Sequence, residues 1–128
     1  MSNPEPSTGE PPAFLEPEAR AEWVRLAPVL IAHGWLSILD EPLLATYVSA
    51  LAELRRVEGL LREQGNTYSD SKGDLRRRPE SITASQLRTS IRGLGNELGL
   101  SPAGRSRLRS SPPEEEDPYE IYLKRGRG

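Results

Sequence analysis

The chain has 128 residues, 35% of them hydrophobic and seven aromatic, with a formal net charge of −2. That suffices for one small domain with a limited core, for which oligomerisation is a ready source of extra stability. With no cysteine it has no disulfide framework and no thiolate metal site, and no apolar run approaches the roughly 20 residues of a membrane span.

Residues 1–12 carry four prolines and almost no apolar side chain. They are expected to be a disordered tail, because they cannot offset the entropy of ordering. They also lack the apolar core of a secretory signal, so the expectation is a soluble intracellular protein.

The first helix is predicted from 17 to about 33. Ala19, Trp23, Leu26 and Leu30 recur at helical spacing, Glu16 and Glu18 suit the N-terminal end, and Gly34 stops it. Pro28 predicts a kink or break near Ala27. Asp40 reads as the cap of a second helix, with Pro42 in its first turn and Gly65 as its stop. Leu44, Tyr47, Val48, Leu51, Leu54, Leu60 and Leu61 give that helix a broad apolar stripe. At about 24 residues it is roughly 36 Å long. The short link between the two helices predicts an antiparallel hairpin.

Residues 66–79 are polar around Gly73. Two readings stay open: a small ribbon pairing 67–69 with 74–76, or an irregular loop, since an isolated two-stranded ribbon is marginal. A third helix is predicted from Pro79 to Leu98, with Leu87, Ile91, Leu94 and Leu98 on one face. Gly93 and Gly95 inside it cost about 1 kcal/mol each against alanine. They are either weak points or places where another helix comes close. Gly99 then suits a left-handed helix end, Ser101 a cap and Pro102 the first position of a short basic helix. Gly104 lowers helix propensity inside that last segment. The fold class is all-α: a long antiparallel helical hairpin, a loop or small β-ribbon, a third helix, a short basic C-terminal helix and disordered tails. The domain plan is a tail at 1–12, a helical domain at 13–109 and a charged tail at 110–128.

Charge is segregated although the sum is near zero. Arg76, Arg77 and Arg78 form one basic group, and Arg105, Arg107 and Arg109 another. Each reads either as a solvated face or as a set of phosphate contacts, and local patches matter more than the net charge to a partner touching one face. Beyond the acidic 114–117 lies an apolar peptide with Tyr119, Ile121, Tyr122 and Leu123, a segment suited to folding onto a partner.

No catalytic constellation is visible, so the expectation is a protein that is not an enzyme. His33 stands alone at a helix end and reads as a capping cation or a packed ring. No set of side chains has metal-ligand spacing and no phosphate-binding glycine loop is present, so neither a metal nor a cofactor is expected.

The arrangement Leu98-Gly99-Leu100-Ser101-Pro102-Ala103-Gly104-Arg105-Ser106-Arg107-Leu108 resembles the C-terminal signature of the small terminase subunits of tailed double-stranded DNA bacteriophages. That family usually carries a second small hydroxyl residue where this chain has Gly104. The resemblance extends back through Phe14-Leu15, Ala19-Arg20-Ala21-Glu22-Trp23, the run from Leu30 to Leu36 with its Gly34, Asp40 with Leu43, Leu44 and Tyr47, and the loop residues Gly65, Gly73 and Pro79. It implies a non-enzymatic adaptor in the host cell cytoplasm that binds phage genome DNA and regulates the large terminase subunit, which supplies ATPase and nuclease activity. It also implies a homo-oligomeric ring of about eight to ten subunits.

Under that reading Trp23, Leu26, Leu30, Tyr47, Leu51 and Leu54 build the oligomer. The arginines Arg76, Arg77, Arg78, Arg105, Arg107 and Arg109 contact double-stranded DNA, and the 119–123 peptide contacts the large subunit. The alternative is a dimeric helix–turn–helix transcription regulator, motivated by the turn at Gly99. A third reading is a structural interaction protein that assembles through the hairpin.

Overall fold

In a computed structural model, residues 4–110 are described, with side chains as far as Ser106. Helix α1 (Pro17–Ala32) buries Ala19, Glu22, Trp23, Ala27 and Leu30. It runs unbroken through Pro28, so the expected break near Ala27 does not occur. The proline removes only the hydrogen bond to the Val24 carbonyl, and Val24 is on the exposed face, 56% accessible. The helix ends at Gly34 with φ +73°. There the Trp35 N–H donates to Leu30 O (2.9 Å) and the Gly34 N–H to Ile31 O (2.9 Å), satisfying carbonyls that a helix end otherwise leaves free.

A 3₁₀ turn (Ile38–Asp40) leads into α2 (Glu41–Gln64). Asp40 stands at the N-cap position of α2 but makes no side-chain cap there. Its carboxylate turns back instead, accepting from the Ser37 N–H (3.2 Å) and hydroxyl (3.0 Å). The expected capping of α2 by Asp40 is therefore replaced by a reciprocal box around the 3₁₀ turn. After Gly65 come β1 (Thr67–Ser69) and β2 (Leu75–Arg77), paired antiparallel with Tyr68 opposite Arg76. The polar segment is thus a ribbon, with its second strand one residue later than the sequence suggested. Helix α3 (Pro79–Leu98) returns along α2, and α4 (Pro102–Ser110) follows.

The three long helices run alternately up and down. The Glu22–Arg55 ion pair ties the start of α1 to the second half of α2, while Leu30 and Leu36 pack with Leu44 near its start. Two apolar clusters result. One joins Trp23, Leu30, Leu44, Val48 and Leu98, so it uses α1, α2 and the end of α3. The other, Leu54, Val57 and Ala84 with Leu61, Leu87 and Ile91 around them, belongs to α2 and α3 alone. The ribbon, exposed along both strands, links α2 to α3 at that second end.

Residues 4–12 do not form a disordered tail. Ser7 donates its N–H to Leu36 O (3.0 Å), and Ile38 donates to Glu5 O (2.9 Å). The Trp23 indole N–H donates to Gly9 O (2.9 Å). The physical reason is a ready acceptor and donor row at the α1–α2 link and a buried indole that requires a partner. Composition cannot reveal either.

The two interior glycines of α3 prove different. A Cβ at Gly95 would touch Tyr47 at 3.6 Å, an ordinary contact, and one at Gly93 would meet nothing within 4 Å. Gly93→Ala is therefore expected to raise stability by about 0.5–1 kcal/mol through helix propensity alone. A urea titration of the two proteins measures it, and a loss of stability would show that this face is covered.

Candidate nucleic-acid interface

Three consecutive arginines look like one patch in the sequence, but a strand points successive side chains to opposite faces. Arg76 and Tyr68 are paired across the ribbon and share a face. Arg78 joins them, with its backbone N–H on Asn66 O (2.8 Å) and its guanidinium 5.7 Å from the centre of the Tyr68 ring. Arg77 lies on the other face with Thr67, and its Nε donates to Ser81 Oγ at 2.9 Å.

The turn of the ribbon is organised by Asp70. Its carboxylate accepts from the Arg76 Nε (3.0 Å) and from the N–H groups of Lys72 and Asp74 (2.9 Å each). The Arg76 guanidinium, helped by those two N–H groups, holds the Asp70 carboxyl below its ordinary pKa against the opposing effect of desolvation. Arg76 is thereby committed to the turn. Among the described residues no carboxylate pairs with Arg77 or Arg78, and the buried Nε of Arg78 makes no hydrogen bond. A guanidinium placed over an aromatic ring with no carboxylate partner is suited to a phosphate or a base edge.

The second basic group sits elsewhere. At the other end of α3, Gly99 takes φ +79°, and Leu100 donates its N–H to Gly95 O (2.8 Å). Ser101 Oγ accepts from the Gly104 N–H (3.0 Å), so the expected cap is present. Gly104 crosses α3 at a distance no side chain allows: a Cβ there would overlap the Asn96 carbonyl oxygen and stand 2.9 Å from its carbon. Arg105 is half-buried on α4. The side chains of Arg107 and Arg109 lie outside the described residues. The 20 residues of α3 separate the two groups by about 30 Å at the helical rise, so a single subunit does not bring them together.

The residues expected to mediate assembly are placed differently from the sequence reading. Trp23 is 0%, Leu30 1% and Leu54 8% exposed. They are interior to one subunit and unavailable to another, because the most hydrophobic helix faces are also those that pack first. Leu26, Tyr47 and Leu51 are half-buried. Tyr119, Ile121, Tyr122 and Leu123 lie outside the described residues. His33 stacks on Trp35 with ring centroids 4.7 Å apart, which matches a packed ring at a helix end.

One charged centre escaped the sequence reading. The Glu22 side chain is 8% exposed and receives Arg25 (2.7 Å) and Arg55. Burial pushes its carboxyl up, but the hydrogen bonds and charges of Arg25 and Arg55 together outweigh this, and it ends below its ordinary value of 4.5. The folded state therefore binds this proton less readily than the unfolded one, and its contribution is complete above 4.5 and lost as pH falls through the lower folded value. Glu22→Gln is expected to cost about 1 kcal/mol near neutrality, since the arginines are largely exposed. In melting curves from pH 3 to 7 the gap to the parent should close toward the acid end. A constant gap would mean that packing, not charge, is lost. Helical spacing from Trp23 places Glu22 beside the apolar face, but only a partner on α2 makes its burial tolerable.

Among the described residues no group of acidic or histidine side chains is disposed to hold a metal ion, and no helix is long and apolar enough to cross a membrane. No curated protein and no solved structure matches the chain. A family model described as phage terminase, small subunit, matches residues 19–115. That span takes in the helices from the third residue of α1 onward, the ribbon and both arginine groups, and the chain belongs to the phage terminase small subunit family.

Proposed function

We propose that this subunit is a non-enzymatic adaptor of viral genome packaging. It assembles into a ring, binds phage DNA through its arginines, and regulates the large terminase subunit in the host cytoplasm. The observation that carries the reading is the family match across 19–115.

The physical case for a ring is multivalency. Among the described residues only a handful of cations lack a carboxylate partner, among them Arg77 and Arg78 at one end and Arg105 at the other. Each phosphate contact adds a modest, salt-dependent increment, and repetition around a ring multiplies it. Exposed apolar residues on the outer face of α1, Val24 and Val29 at 56% and 54%, offer contact surface that the buried Trp23 and Leu30 do not.

The test is DNA binding by the assembled protein between about 50 and 200 mM salt. Arg77→Ala with Arg78→Ala should weaken binding and flatten the salt dependence, by about 0.9 in log–log slope for each phosphate no longer neutralised. An unchanged slope would remove the ribbon from the interface and leave α4 as the remaining contact. Light scattering supplies the assembly state. A mass of many subunits supports the adaptor, whereas a dimer would favour a helix–turn–helix regulator.

A further inference from the structure

Beside the start of α2 lies an open groove of about 580 Å³, walled by Pro12, Phe14, Ile38, Pro42 and Ala45 with Glu41 among them. Phe14, the single phenylalanine of the chain, is 75% exposed on its wall, and Ile38 is 43% exposed. An aromatic and a β-branched residue left in water around a concavity mark a place that another apolar segment can cover.

We propose that the groove receives the 118–124 peptide of the neighbouring copy in the ring, an exchange that rests on the ring reading above. Three observations favour this occupant. The first is chemistry: Tyr119, Ile121, Tyr122 and Leu123 are the only cluster of large apolar residues outside the described part of the chain. The second is charge at one end only: Lys124, Arg125 and Arg127 follow the cluster and suit Glu41 in the groove, with Glu10 and Glu16 flanking its Pro12–Phe14 wall in sequence. The acidic 114–117 stretch precedes the peptide and Glu120 lies within it, so the basic end is the one set against Glu41.

The third is placement. Leu98 and Leu100 pack with Leu44, so α4 leaves the bundle at the end where the groove lies. Eight residues lie between 110 and 119, a reach of about 30 Å over the nine steps. Yet Tyr47 faces α3 at Gly95, while Pro42, Thr46 and Ser49 face the groove. At 100° per residue these faces of α2 are roughly 140° apart. Helix α4, after which the peptide follows in sequence, packs on α3, whereas the groove opens on a face of α2 turned away from α3. In a head-to-tail assembly, that arrangement presents each peptide to the next subunit's groove.

The chain lacks cysteine, so a disulfide can report the contact. In the full chain, T46C with L123C is oxidised and run on a denaturing gel, beside the solution mass of the same sample. Exchange between neighbours gives a ladder of covalent species larger than a dimer, diminished several-fold by F14S, which alters an exposed side chain. A ring-sized mass with no cross-link, or with closure only within one chain, overturns the exchange and leaves the ring standing. A monomeric mass overturns the ring reading and the exchange together.

Discussion

Trp23→Ala is expected to destabilise the protein by about 3–5 kcal/mol, the range for removing a buried aromatic side chain from a core. Trp23 is fully inaccessible and stands in the cluster that joins α1 to Leu44, Val48 and Leu98. It also holds the N-terminal segment, because its indole N–H is the donor to Gly9 O. The variant therefore loses packing and at once frees the segment around Gly9, while the bonds of Glu5 and Ser7 to the α1–α2 link remain. Small domains have about 5–15 kcal/mol in total, so this single change brings the chain close to unfolding. Trp23→Phe separates the two effects. It keeps most of the ring's contacts and forfeits the hydrogen bond, for about 1 kcal/mol plus a small packing loss. Urea titration followed by circular dichroism measures both. A cost below about 1 kcal/mol for the alanine variant would contradict a core built around this ring.

Gly104→Ala is expected to detach α4 from α3. Alanine favours a helix over glycine by about 0.5–1 kcal/mol, which argues for stabilisation. Against this, the new Cβ would overlap the Asn96 carbonyl, a backbone atom that cannot swing aside. Overpacking of this kind costs about 1–3 kcal/mol, so the clash prevails and α4 moves. Hydrogen exchange across residues 102–106 should show reduced protection while α2 and α3 remain unchanged, and DNA affinity should fall if α4 supplies contacts. The companion change Gly93→Ala, on the same helix pair, has the opposite sign because nothing stands near it. If the two variants behaved alike, a close crossing of α4 over α3 would be ruled out.

Much of the architecture was legible from local chemistry. The helix limits near Pro17, Gly34, Gly65, Pro79 and Gly99 follow from the fixed φ of proline and the tolerance of glycine for positive φ. Both act within a few residues. The apolar periodicities of the three long helices are local for the same reason, and so is the cap of Ser101 on Gly104. The family resemblance rests on such punctuation taken in order, which is why it extends over nearly the whole helical part.

What the sequence could not supply were properties set by distant partners. The fate of residues 4–12 depends on an indole fourteen residues away and on the α1–α2 link. The Asp40 carboxylate was drawn back to Ser37 by a competing local box, which leaves α2 without a side-chain cap. Whether the 66–79 segment forms a ribbon depends on Asp70 gathering Arg76 and two N–H groups, an arrangement that arises only once the turn closes. Gly104 looked like a helix weakness because propensity is a local quantity, whereas its value lies in a crossing with Asn96. The arginine run was divided by strand alternation, and the two basic groups were set about 30 Å apart by the length of α3. Trp23, Leu30 and Leu54 show the same division between local and distant information. Their apolar character was readable from the chain, but whether they faced their own helices or another subunit was decided only by tertiary packing, because one hydrophobic stripe serves either purpose equally well.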